Sequence, residues 1–420
     1  VVFLVFLGIL ALSGCDSDFY SDAIRYLLRT DPLVTEKLGS EVSNPDNLFK
    51  PDRPGQMPIM SPEDLREFPN PFYKDAEHQN RDDLFRTKKL LNPTDVAPDK
   101  RQKLQETLDE LFGTPRRPKV SGIEPAQIEK LMLDEEKLLL GSRYYRKDCL
   151  HCHGVTGNGR GPTARWVNPH PRDYRQGRFK FQSVDQAKEQ GATLKPRRED
   201  LLHTLMEGLE GTAMPSFRLH SQKDLNALVS YVIHLSIRGE AEYQTIKAIF
   251  DDDSTDPVEY AREYTKKLGL DWAAAQDKAI QVVPYPYKES ELEFSVQRGH
   301  ALFMANEEQL RKHFPGMTGD DMNKLKGASC VSCHKDYGRQ ATYKFDEWGT
   351  LIKPTDLTRG VYRGGRTPTD LYYRIHSGIN GSGMANFGGN LTTNQIWDLI
   401  NFVRVLPYPG MREKYAVQIN

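Results

Sequence analysis

The chain has 420 residues, with 57 Lys and Arg against 58 Asp and Glu, and a hydrophobic content of 38%. That length suits two domains plus connecting material. The even charge balance gives no global sign of the basic domain or stripe of a nucleic-acid binder, and beyond the first residues no stretch reaches the roughly 20 apolar residues that span a bilayer.

Residues 1–15, VVFLVFLGILALSGC, are almost wholly apolar. The run is short for a membrane span and has the length of a signal-peptide core. Leu12-Ser13-Gly14-Cys15 resembles a bacterial lipobox, which makes Cys15 the expected site of lipidation. An uncleaved apolar anchor is the alternative. Both predict export, with the lipobox placing the chain at the periplasmic face of a bacterial membrane, held by lipid. Asp16 resembles an inner-membrane retention signal.

Residues 16–125 read as an extended arm with short helices. Ser17–Arg29 has the pattern of a short amphipathic helix. From Thr30 to Pro98 the text is rich in Pro, Asp and Asn with little periodicity. Asp99–Phe112 returns to helical spacing, with Leu104, Leu108 and Leu111 on one face. Such an arm lies on the chain's own domains or on a partner subunit, unless it is a tether. Two candidate domains follow, residues 126–238 and 290–411, with a tail over 412–420. The segment between them, residues 239–289, reads as a helical linker: PVEYAREYTKKLG has a helix pattern with a glycine stop, and DWAAAQDKAIQVV follows it.

The two domains repeat each other. DLLHTLMEGLEGTAMPSF (Asp200–Phe217) pairs without a gap with DLYYRIHSGINGSGMANF (Asp370–Phe387). Gly208 meets Gly378, Gly211 meets Gly381, Met214 meets Met384 and Phe217 meets Phe387. Upstream, PRDYRQGRFK from Pro171 pairs with PTDLTRGVYR from Pro354. LNALVSYVIHL and IWDLINFVRVL both read as amphipathic helices, and GSRYY at Gly141 matches GHALF at Gly299. Duplication of this kind means two copies of one fold. Insertions distinguish the copies: one precedes Cys330, the other precedes Asp200.

Each copy contains Cys-x-x-Cys-His: Cys149, Cys152 and His153, then Cys330, Cys333 and His334. This is the attachment signature of c-type haem, in which two thiols add to the porphyrin vinyl groups and the adjacent histidine is carried under the iron. The rivals are a shared four-cysteine zinc site and a redox dithiol. Neither accounts for the histidine after both pairs or for the duplicated methionine. A thioether can take the opposite face of the iron, and Met214 and Met384 occupy the same place in the best-matched block. His203 pairs with Tyr373 and His376 with Met206, so neither is a repeated ligand. The expected cofactors are therefore two covalently bound haems c, with His153, Met214, His334 and Met384 as metal ligands.

Taken together, the Gly-x-x-x-aromatic helix, Cys-x-x-Cys-His, the loop GVTGNGRGP, Met-x-x-Phe and a last helix with Tyr231 or Phe402 make each half resemble a class I cytochrome c. The whole is similar to the membrane-bound dihaem cytochromes c of bacterial respiratory complexes. The resemblance covers about half of the chain; the arm and linker have no counterpart. It implies an all-α fold of two cytochrome c domains, with first and last helices crossing beside each haem. It also implies a proline carbonyl accepting from the proximal histidine; Pro162 is the candidate in the first half, and the second half departs from the pattern there. Arg160, Arg165, Trp166, Arg172 and Trp348 are candidates for propionate contacts, and Phe217, Phe387, Tyr231 and Phe402 for crevice walls. The expected function is single-electron transfer between membrane redox partners, such as a quinol-oxidising complex, a terminal oxidase or another oxidoreductase, by a carrier with no catalytic residues of its own. A dihaem peroxidase is the alternative, and an assembly subunit of a respiratory complex is a third.

Overall fold

Two helix crossings organise the protein, seen here in a computed structural model that describes residues 20–31, 33–34, 90–167, 169–185, 195–340, 344–345 and 351–419. The apolar leader with Cys15, most of the arm, Trp348 and part of the insertion before Asp200 lie outside these residues. The described residues are mostly helical, with only three two-stranded pairs of two residues per strand. Among them no helix is long and apolar enough to cross a membrane.

In the first unit, β1 (Leu33–Val34) pairs antiparallel with β2 (Leu90–Leu91). Then come α1 (Pro98–Phe112), α2 (Pro125–Lys130), α3 (Glu135–Asp148), a single turn α4 (Leu150–His153), α5 (Arg198–Glu207), α6 (Gln222–Asp251) and α7 (Pro257–Ala275). The second unit has α8 (Leu292–Met304), α9 (Glu307–His313), α10 (Gly319–Gly327), α11 (Pro368–Ser377), α12 (Thr393–Val405) and α13 (Pro409–Lys414). Local chemistry sets the ends. Asp134 accepts from Lys137 N to start α3, which carries Glu135 and Glu136 in its first turn and Arg146 and Lys147 in its last, as the helix dipole favours. Ser221 starts α6 in the same way, accepting from Asp224 N.

Helices α3 and α6 cross at Gly141, where an added Cβ would stand 2.1 Å from Ala227 O and 2.8 Å from Tyr231 Cβ. Helices α8 and α12 repeat the crossing at Gly299, whose Cβ would stand 2.0 Å from Asp398 O and 2.8 Å from Phe402 Cβ. Only a hydrogen fits between the backbones at each place. Around the first crossing a buried core joins Leu104, Leu138, Tyr145, Leu228, Tyr231 and Trp272. A second core gathers Val296, Phe303, Leu371, Ile400, Phe402 and Leu406.

Three expectations about the flanking segments change. Residues 20–30 make a turn at Asp22–Ala23 and are otherwise irregular, with no helix, while the start of the expected helix, Ser17–Phe19, lies outside the described residues; Tyr20, Tyr26 and Arg29 are buried. The expected domain boundary after residue 238 falls inside the uninterrupted α6. Gly239 is there for a close approach, since a Cβ would meet Arg175 at 2.5 Å. The glycine of the linker pattern, Gly269, does not stop its helix either: α7 runs past it, and Ile123 packs where its Cβ would be. Leu268 and Trp272 of α7 belong to the first core. The actual connection begins after α7. It passes Ile280, whose N donates to Ser183 O at 2.8 Å, and then Val283, whose carbonyl accepts from Trp397 Nε1 at 3.1 Å.

The units meet along α5 and α11. His203 Nε2 lies 3.1 Å from Asp370 Oδ1, and Ser377 Oγ donates to Val184 O at 2.7 Å. Arg366 stands 3.7 Å from Glu210.

Candidate functional site

Helix α3 delivers the first motif. Cys149 closes it by donating to Tyr145 O at 2.9 Å, and one further turn follows in which His153 N donates to Cys149 O at 2.8 Å. Gly154, at φ 73°, ends that turn. A single turn puts Cys149, Cys152 and His153 on neighbouring positions of one face. The second motif makes the same turn: Cys333 N and His334 N both donate to Cys330 O, at 3.2 and 2.8 Å, as Cys152 N and His153 N do to Cys149 O at 3.1 and 2.8 Å.

None of these four cysteines is in a disulfide. Burial, assisted by the Asp148 carboxylate, pushes the Cys149 thiol up to about 12. Burial likewise lifts Cys330 to about 12. A redox dithiol needs a lowered thiol pKa, the opposite direction to that of these two buried thiols. Among the described residues no three His, Cys, Asp or Glu side chains converge on a metal position, so the two cysteine pairs build no shared zinc site.

Both histidines are aimed from behind. His153 Nδ1 is 3.4 Å from Arg172 O, and His334 Nδ1 is 3.1 Å from Thr355 O. A carbonyl only accepts, so Nδ1 carries the proton and Nε2 keeps its lone pair for a metal. Burial lowers both rings, His153 to about 4, so both are neutral at pH 7. Tyr174 stacks on His153 with centroids 4.8 Å apart. The carbonyl therefore comes from Arg172 and not from Pro162. The second half has its equivalent after all, because Arg172 and Thr355 hold the same place in PRDY and PTDL. The repeat itself carried that signal.

The methionine loops match bond for bond. After α5, Gly208 turns the chain at φ 69°, and after α11 Gly378 does so at φ 71°. Leu209 N then donates to Met214 O at 3.1 Å, and Ile379 N to Met384 O at 3.0 Å. Phe217 N donates to Leu205 O, and Phe387 N to Ile375 O. Met214 and Met384 are both half-buried, and Met214 packs against the core that contains Cys149 and Tyr145.

Other expected residues are placed elsewhere. Tyr231 and Phe402 sit fully buried at the helix crossings, and Tyr231 shares a 2.7 Å hydroxyl bond with Tyr26 of the arm. Trp166 is 80% exposed. Arg160 stands 3.7 Å from Asp31, and Arg172 acts through its carbonyl. His203 faces Asp370, and His376 stacks on Tyr372.

Two segments of the chain, residues 136–232 and 318–403, match the model of a family described as cytochrome C oxidase, cbb3-type, subunit III. Both regions are cytochrome c-like. The matched segments hold both Cys-x-x-Cys-His turns, both methionine loops, nearly all of α3 and α12 and the start of α6, but not α8, and together span somewhat under half of the chain. A solved chain from the Kuenenia stuttgartiensis reducing HAO-like protein complex is also similar, at 22% identity and a TM-score of 0.41, over 65% of this chain and 96% of that one. No curated protein matches the chain. Cytochrome c domains carry covalently bound haem c, and the donors present here fit it: paired thiols beside a neutral histidine whose Nε2 is available.

Proposed function

We propose that this chain is a dihaem c-type cytochrome that passes single electrons between redox partners at a bacterial membrane. The observation that carries the reading is the exact-position duplication of the site: a thiol pair, a histidine backed by a carbonyl, and a methionine loop with the same hydrogen bonds. Cys149 and Cys152 would hold one haem and Cys330 and Cys333 the other. His153 and His334 would bind the irons through Nε2, and Met214 and Met384 would close the opposite faces. When bound, the group supplies a one-electron couple, and histidine–methionine ligation raises its potential. The chain's own contribution is rigidity: backed histidines and short methionine loops keep the donors in place in both oxidation states. Lipidation at Cys15 would hold the protein at the periplasmic face.

Intact mass of protein from native membranes is expected to include two haem additions that survive denaturation. The reduced protein is expected to bind no carbon monoxide and to react only slowly with peroxide. A mass without haem overturns the reading, and rapid peroxide turnover replaces it with the peroxidase.

A further inference from the structure

The arm reaches the first site from behind. Asp31 Oδ2 accepts from Arg175 Nη2 at 2.9 Å. Arg175 also grips Asp173, with Nε 3.0 Å from Oδ1 and Nη2 2.8 Å from Oδ2. Arg29 Nη2 lies 3.1 Å from Asp31 Oδ2 and 3.6 Å from Asp173 Oδ2, and its backbone N–H is tied to the Glu242 carboxylate of α6. Arg29, Asp31 and Arg175 are at most 6% exposed. Burial opposes the charge on Asp31, yet Arg175, Arg29 and Arg160 outweigh it and hold the carboxyl well below the usual range.

This network closes on a particular turn. Asp173 caps the Tyr174–Gln176 turn by accepting from Arg175 N at 2.9 Å. The residue before it supplies the carbonyl that holds His153, and the residue after it stacks on the ring. The second unit manages the same turn locally. Asp356 accepts from Thr358 N at 3.0 Å and Thr358 Oγ1 at 2.6 Å, and Thr358 stands where the first unit has Arg175.

We propose that Asp31 and Arg29 are positioning residues for His153: through Arg175 the arm clamps the 172–176 turn and so sets the hydrogen bond from His153 Nδ1 to the Arg172 carbonyl, making the first metal site differ from the second. The proposal rests on the haem reading above. A firm Nδ1–H bond makes the ring a stronger donor, which favours the ferric state and lowers the potential. The clamped bond is the longer of the two, 3.4 Å against 3.1 Å behind His334, so releasing the clamp lets it shorten and lowers the potential of the first haem.

The test is spectroelectrochemical titration of the full-length holoprotein, with haem count by intact mass and the Nδ1–H resonances of 15N-histidine in the reduced state. Asp31→Asn is expected to lower the potential of the first haem, shift the His153 Nδ1–H signal, and leave the second haem and the His334 signal unchanged. This variant separates positioning from bare charge. Removing a nearby negative charge raises a potential, whereas releasing the clamp lowers it, so a fall is expected. The second unit folds this turn with threonine, so if Asp31→Asn does not fold, Arg175→Thr decides the matter by moving the His153 Nδ1–H signal toward that of His334. A rise in potential with Asp31→Asn, or an unmoved His153 signal in the variant that folds, overturns the proposal. Wild-type protein without two covalent haems overturns the haem reading instead.

Discussion

Met214 and Met384 are ordinary residues until the backbone around them is compared. A single half-buried methionine is usually packing, but these two share a glycine turn, a carbonyl acceptor and a following phenylalanine bond. The ferric protein is expected to have the weak near-infrared sulfur-to-iron band. Met214→Ala and Met384→Ala should each remove about half of it if both thioethers are ligands. Each substitution should also open one iron to carbon monoxide. A band that survives both changes rules the methionines out. The histidines teach a related lesson. Their identity was plain from Cys-x-x-Cys-His, but the group behind them was not, because a backbone carbonyl leaves no mark in side-chain identity. The family resemblance implies Pro162, whereas Arg172 and Thr355 are what the loops present.

At the scale of elements, the decisive contact is helix against helix at a glycine. Alanine favours an isolated helix over glycine by roughly 1 kcal/mol. At Gly141 and Gly299, however, the new methyl would enter a carbonyl and a side chain of the facing helix. Overpacking of that kind costs about 1–3 kcal/mol. Gly141→Ala and Gly299→Ala are therefore expected to lower the denaturation midpoint, and the loss should appear in the unit that carries the change. An unchanged or raised midpoint would mean that the helices slide apart freely. The same elements explain why residue 238, the expected end of the first domain, lies inside a helix. Periodicity found the helices of residues 239–275, but α6 and α7 put their apolar faces on the first core, together with α1. A linker in the sequence is a wall of the first unit in the fold.

For the whole molecule, the interface of α5 and α11 joins two copies by equivalent surfaces. His203 meets Asp370, and at the equivalent positions the Tyr373 phenol is pushed up by burial and then by the Asp200 charge. Asp370 raises the pKa of His203, with Glu207 adding to the effect and burial and Arg374 opposing it. A raised histidine contributes fully below its unfolded value of about 6.5, and that contribution is lost as pH rises through the folded value. Burial would lift Asp370, but His203 and Thr367 lower it on balance; its share is present above about pH 4 and lost as pH falls. Coupling between the units is thus expected to be greatest from about pH 4 to 6.5 and to weaken as pH rises through the raised pKa of His203. Protease sensitivity of residues 276–289 would report it, rising with pH in the wild type and high at both ends in His203→Gln. Sensitivity that ignores pH in the wild type would remove the pair from any role in holding the units together.

The sequence by itself determined the all-α class, the duplication, both thiol–histidine turns and the methionine positions. Each is written in residue identity at short range: a motif within one helical turn, a repeat without gaps, glycines at left-handed turns. Tertiary structure alone decided which core the linker helices enter, that the arm's Tyr26, Arg29 and Asp31 become interior residues, and which carbonyl backs each histidine. These depend on segments far apart in the chain meeting in space. A Pro- and Asp-rich stretch has no period to announce burial, and a buried ion network such as Arg29–Asp31–Arg175 exists only once its members, separated along the chain, share one low-dielectric site.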